Sequence, residues 1–474
     1  MAPHSPGATA VAADRAGVTH RRSRGLAARA ELSDRLRSLF PLDSGSPIRP
    51  GKVLLALAVL AAGTLISLAR QGGIGALDTM WAEDGHIFLE QSVRLSVLDA
   101  FTTTYAGYLH VVPRTIAGLT ALLPLRDAAA SFAVLSALLL AATAVFVYVA
   151  SGATLRHRPV RLVLAASFVV LPIGQGEVLN NVAANLHFPL MAASLWALLW
   201  NPRRRIFGAV AALVLALAVL SDPTMILLAP VAVLRGVLLR GVRGWGPGGV
   251  LLAGVVIQMI PRVTGHTDRA FAPLALSPLK IPVYFAHNVL AGGLFGDRLP
   301  GRSVTSPRAA LFVLLALMVL GVLVALAWKR RRAPSSWLAL IMVGQSVLFY
   351  AGPVLLAGAA TPRYALAPAL MLLSAAAVVV DATADDGGDL LAGTTSRQAG
   401  LRQYSFVLLL LLAMASGFRM DNARGAGPRF SQELSTGRAR CAVALPSADS
   451  GSVTVRVSPP GWSASLPCQA VLTR

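Results

Sequence analysis

Apolar runs too long for a water-soluble fold, set apart by clusters of arginine, constrain this chain more than any other feature. Val53–Ala69, Ala128–Ala150 and Ala309–Trp328 each fall in the range of about 17–25 residues that spans a bilayer as a helix. Lipid offers the backbone no hydrogen-bond partner, so such runs must be helical. Composition agrees. The 474 residues are 55% hydrophobic and 13% charged, whereas a soluble domain averages about 25% charged. Mean hydropathy is +0.66. So little polar surface excludes a soluble globule of this size, and the expected fold is an all-α polytopic membrane protein.

The formal net charge is +21, from 42 Lys plus Arg against 21 Asp plus Glu. An excess of that size can serve nucleic-acid binding. Here the charges fall in clusters between apolar runs, which is the positive-inside pattern, so no nucleic-acid partner is expected. The preference for Arg over Lys and the abundance of Ala suggest a GC-rich bacterial genome.

Residues 1–50 are rich in Arg, Ala, Ser, Gly and Pro and are expected to form a largely disordered, basic cytoplasmic tail with a short helix at Leu26–Phe40. The first apolar run starts too late for a cleavable signal peptide, so it reads as a retained anchor. Further spans are expected near 128–150, 160–174, 187–200, 206–220, 224–240, 248–261, 309–328, 336–353, 364–381 and 403–418, about eleven in all. Alternating them places Arg156-His157-Arg158, Arg203 to Arg205, Arg235 to Arg243, Lys329 to Arg332 and Arg397 to Arg402 on one side, with the N-terminus. That side is the cytoplasm under the charge rule. The C-terminus is then extracytoplasmic, across a bacterial plasma membrane. Leu109–Leu125 strains the scheme, because a full crossing there would invert everything after it. It is expected to be re-entrant or to lie at the membrane face.

The division expected is a tail at 1–50, a transmembrane domain at 51–418 with a long outer loop at 70–127, and a small extracytoplasmic segment at 419–474. The last contains Val453-Thr454-Val455-Arg456-Val457, a strand-like alternation, followed by the turn signal Pro459-Pro460-Gly461. Cys441 and Cys468 lie on the oxidising side, where they either close a disulfide or remain two free thiols.

The outer loop holds the most informative stretch, Trp81-Ala82-Glu83-Asp84-Gly85-His86. Acidic residues contribute little to orientation, so topology does not account for the pair Glu83 and Asp84. They are either a solvated helix start or carboxylates that take a proton from a hydroxyl nucleophile or hold a divalent cation. Tyr108, His110 and Arg114 follow. An Arg at the end of an apolar segment snorkels to headgroups or pairs with an anion, and guanidinium binds phosphate as a fork. Glu177, Asn180, Asn181, Asn185 and His187 sit between two spans, Ser221-Asp222-Pro223 forms a turn, and Arg262, His266 and Asp268 follow the seventh span. Arg363-Tyr364 opens another span on the side opposite the basic clusters.

These features together resemble the GT-C superfamily of polytopic membrane glycosyltransferases, in its actinobacterial type. The resemblance rests on the long first outer loop with its acidic pair, the Tyr108-to-Arg114 stretch, the polar turn at Glu177–His187 and Arg363-Tyr364 followed by Pro368. It implies a polyprenyl-phosphate sugar as donor, membrane lipid as a partner and a cell-envelope acceptor. It also implies Glu83 or Asp84 as the catalytic acid, and Arg114 and Arg363 at the lipid phosphate, with Tyr364, His110, Tyr108, Glu177 and His187 as further binding residues. The chain departs from that pattern in its small C-terminal segment. Two other readings stay open. A transporter or flippase would use polar residues inside spans, of which Gln258, Asn288 and Gln345 are the main examples. A non-catalytic assembly protein would tolerate substitution at Glu83, Asp84 and Arg363.

Overall fold

The computed structural model describes residues 34–43, 45, 49–173, 182–265, 277–301, 303–382, 395–419, 422–444 and 451–473. Glu177, Asn180, Asn181, His266 and Asp268 lie outside these residues, as does most of the tail. The main helices are α1 (Pro50–Ala69), α3 (Ala128–Ala150), α4 (Arg158–Val170), α5 (His187–Leu199), α6 (Arg205–Val219), α7 (Ala229–Leu239), α8 (Gly241–Val263), α9 (Pro307–Lys329), α10 (Pro334–Ala357), α11 (Leu366–Asp381) and α12 (Thr395–Ser416), with α2 (Val111–Thr120) between the first two.

A helix coincides with each expected span. Among the described residues six helices are long and apolar enough to cross a membrane, and four more are apolar but shorter. Two of the short ones open with 3-10 turns, at Ala183–Asn185 and Pro223–Leu228, beside a cavity. α2 has 10 residues, about 15 Å of helix, against a hydrocarbon core of about 30 Å.

The bundle is built around two helices. All thirteen residues of α5 are buried, and α11 is buried along nearly its whole length. They are joined where Trp196 Nε1 donates to Ser374 Oγ at 3.0 Å. α1 and α9 sheathe the outside and bury only two residues each. Gly63 lets α1 approach α3 closely, since a Cβ there would stand 3.0 Å from that of Ala141. Small residues permit such packing where lipid removes the hydrophobic drive between helices.

The bundle has two chemically different ends. At the basic end, Asp381 accepts the N–H groups of Arg156 at 2.6 Å and His157 at 2.9 Å. Arg235 is buried there and donates to the carbonyls of Leu198 and Trp200. Leu39 and Phe40 of the N-terminal segment are buried at this end, 1% and 2% exposed, with Arg235 against the Phe40 ring. The other end carries the first long loop and the C-terminal segment. That segment forms α13 (Phe430–Ala444), an antiparallel hairpin of β1 (Ser452–Val457) and β2 (Trp462–Pro467), and α14 (Cys468–Thr473). Val453, Val455 and Val457 face inward in alternation, and a disulfide joins Cys441 to Cys468. Ser458 pairs with the loop by backbone bonds, donating to Met80 and accepting from Ala82.

Candidate functional site

A cavity of about 250 Å³ opens at the end of the bundle away from the basic clusters. Six separate segments supply its walls. Glu83 and Phe88 come from the first loop, with Tyr105, Tyr108 and His110 further along it. Asn185, His187 and Phe188 come from the start of α5, Asp222 and Thr224 from the turn after α6, and Met259 and Arg262 from the end of α8. The last turn of α10 adds Leu356, and Arg363 and Tyr364 precede α11.

The loop wall is held rigidly. Tyr105 and Tyr108 bond each other's backbone at 3.0 and 3.2 Å. The turn between them puts Ala106 at φ +52° and Gly107 at φ +89°, a left-handed pair for which Gly is the natural second member. His110 donates from Nε2 to the Tyr105 carbonyl, 3.0 Å away, and stacks at 4.2 Å on Tyr108. Gln258, one of the polar residues inside a span, clamps both the N–H and the carbonyl of Leu109 and also reaches Val219. Val112 N–H donates to Ser221 Oγ. Gln258 is therefore a fastener for the wall, and Asn288 is likewise engaged, donating to the Tyr350 hydroxyl.

The adjacent carboxylates part company. Glu83 is half-buried and lines the cavity, and no hydrogen bond holds its carboxylate among the described residues. Asp84 is 2% exposed and turns inward, accepting the N–H groups of Ala183 at 3.0 Å and Ala184 at 2.9 Å. Burial pushes its carboxyl up to about 7, opposed by those two bonds and by Arg424. Arg114 also lies away from the cavity. It is 3% exposed, donates to Gln91 Oε1 at 2.9 Å and to the Ala100 carbonyl, and packs on Phe88. It sits in the loop behind the wall, where its Nε and Nη2 are buried without a hydrogen-bond partner among the described residues.

Of the residues expected at a site, Glu83, Tyr108, His110, His187, Arg363 and Tyr364 are thus brought together, and Asp84 and Arg114 are not. Asn185, Asp222 and Arg262 join them. Phe88, Tyr105, Phe188, Met191 and Met259 carried no signal, because an apolar residue on a cavity wall looks like any core residue in sequence. Arg363 lies against the Tyr364 ring, 5.9 Å from its centre, and His187 Nε2 is 3.7 Å from Asp222 Oδ2. The result is one carboxylate open to a ligand, two guanidinium groups, an aromatic wall and an apolar floor. No group of three or more His, Cys, Asp or Glu able to hold a metal ion occurs among the described residues.

No family model matches the chain, and no curated protein matches it. Solved structures do. The archaeal oligosaccharyltransferase AglB from Archaeoglobus fulgidus, in complex with an inhibitory peptide and a dolichol-phosphate, is 14% identical with a TM-score of 0.43, covering 83% of this chain and 58% of that one. The arabinofuranosyltransferase AftD from mycobacteria is 13% identical with a TM-score of 0.47, covering 90% and 31%. This chain spans little more than half the length of the first and under a third of the second, and likeness at this level settles neither reaction nor substrate.

Proposed function

We propose that the chain is a membrane glycosyltransferase that moves a sugar from a polyprenyl-phosphate donor to a cell-envelope acceptor at the outer face. The observation that carries this reading is the meeting of Glu83 and Arg363 on one cavity. Basic clusters mark the far end as cytoplasmic by the charge rule, so the cavity opens on the side where nucleotide sugars are absent and a lipid-borne donor is the natural one.

Each wall has a task in this chemistry. The aromatic face of Tyr108, His110 and Tyr364 offers a platform for a sugar ring. Met191, Met259 and Leu356 form an apolar floor suited to the first units of a lipid chain. Glu83 takes the proton of an acceptor hydroxyl as its oxygen attacks the anomeric carbon. The bond from that carbon to the phosphate oxygen breaks, and the leaving polyprenyl phosphate keeps the electron pair. Arg262 and Arg363 neutralise the charge, as guanidinium groups do for phosphate oxygens. Of the three polar residues a transporter would use, Gln258 and Asn288 are engaged in holding the fold, which favours transfer over transport.

The test is transfer by purified protein from a panel of radiolabelled polyprenyl-phosphate sugars to membranes from cells lacking it. Label should move with the wild type and fail to move with Glu83→Gln. Equal transfer by the two would overturn the assignment.

A further inference from the structure

Asp84 stands beside Glu83 yet does not line the cavity. The N–H groups it accepts belong to the first residues of the Ala183–Asn185 turn, which runs into α5. Leading N–H groups of a helical segment have no partner within it, and a carboxylate there satisfies them and suits the positive end of the peptide dipoles. Such a cap usually comes from the residue just before the helix. Here Val182 holds that place and cannot cap, so the carboxylate arrives from about a hundred residues upstream.

The junction is built from three parts of the chain. Beyond the turn, Asn185 and His187 enter the cavity, and Leu186 N–H bonds back to Ala183. Behind Asp84, Arg424 of the C-terminal segment is 2% exposed and donates to Thr79 and Ala76. Trp81, Ala82 and Val182 close the apolar side against Ala423 and Trp462.

We propose that Asp84 is a positioning residue. Its ionised carboxylate holds the Ala183–Asn185 turn, and through it Asn185 and His187, in the cavity, while Glu83 meets the substrate. This rests on the glycosyl-transfer reading of the cavity. The charged groups facing Asp84 are Arg424, which favours its ionised form, and Glu83, which opposes it. With the carboxyl at about 7, the clamp is charged above that pH and neutral below it. A protonated carboxyl keeps a single good acceptor oxygen, so one of the two N–H groups loses its hold as pH falls.

The test uses the full chain in lipid nanodiscs, labelled with carbonyl-¹³C valine and ¹⁵N alanine to select the seven Val–Ala amides, among which Ala183→Ser identifies that of Val182–Ala183. In the wild type that amide should shift with a midpoint near pH 7, and in Asp84→Asn it should not move between about pH 5.5 and 8.5. A wild-type amide that stays still overturns the proposal without recourse to any variant. In the transfer assay, Asp84→Asn should turn over at least tenfold faster than Glu83→Gln and lack the wild type's loss of rate on acidification. An Asp84→Asn protein as inactive as Glu83→Gln at every pH overturns it. Transfer by Glu83→Gln at the wild-type rate would instead sink the glycosyl-transfer reading, and the amide would still decide the clamp.

Discussion

His187 and Asp222 meet at the cavity wall with Nε2 and Oδ2 3.7 Å apart, both about nine-tenths buried. The other oxygen of Asp222 accepts from Thr224 twice, at 2.8 Å from the N–H and 2.6 Å from the hydroxyl. One carboxylate therefore starts the 3-10 segment Pro223–Leu228 and gives His187 its neighbour. Loss of such a cap costs about 0.5–2 kcal/mol. Asp222→Ala should lower the thermal midpoint of the purified protein by a few degrees, and Asp222→Asn by less, because Asn still caps. An unchanged midpoint in Asp222→Ala would show that the cap adds nothing.

Stability should depend on pH through Asp84. Its folded-state carboxyl is raised to about 7, whereas an unfolded Asp titrates at about 3.9. Between those values the unfolded chain gives up a proton that the folded chain retains, so folding loses stability as pH rises through that window. Asp84→Asn removes the loss. The midpoint of the variant minus that of the wild type should grow in the variant's favour from about pH 5 to about pH 8. A constant difference would place Asp84 outside that titration.

Arg424 should be among the least replaceable residues of the C-terminal segment. Its guanidinium reaches Thr79 Oγ1, the Thr79 carbonyl and the Ala76 carbonyl at 2.9–3.0 Å from a fully buried position, and burial draws its pKa down to about 10. Removing one member of a buried charge set costs about 3–5 kcal/mol. Arg424→Met should destabilise by that order, and adding Asp84→Asn should recover part of it, since Asp84 then no longer needs a counter-charge. Additive effects in the double variant would mean the two do not interact.

The disulfide spans 27 residues, for which the chain-entropy model gives about 3–4 kcal/mol. Replacing both Cys441 and Cys468 by Ser should make residues 445–473 sensitive to limited proteolysis under conditions that leave the bundle intact. Because Ser458 bonds to Met80 and Ala82, transfer should fall as well. Wild-type protease resistance and rate in the double variant would show the cap stands without its bridge.

Much of this was legible in sequence for identifiable reasons. Long apolar runs must be helical in lipid, and the arginine clusters mark one end of the bundle, so the gathering of Glu83, His187 and Arg363 at the other end follows from topology. The alternating valines of β1 announced the hairpin. What stayed hidden was the direction of single side chains. Glu83 and Asp84 are neighbours, but successive residues of a helical turn point about 100° apart, so one faces the cavity and the other the buried turn at Ala183. Arg114 looked like a phosphate ligand because a charge at the end of an apolar segment needs a partner. It has found Gln91 and Ala100 within its own loop, contacts that spacing cannot reveal. The 3-10 start at Pro223–Leu228 also went unseen, since it occurs inside apolar sequence.

The most direct test is a cryo-EM structure of the full chain in nanodiscs with bound polyprenyl phosphate. The phosphate should lie in the cavity within hydrogen-bond reach of Arg363, with the Glu83 carboxylate open on the same cavity and Arg114 untouched. A phosphate bound away from this cavity, or at Arg114, would contradict the account.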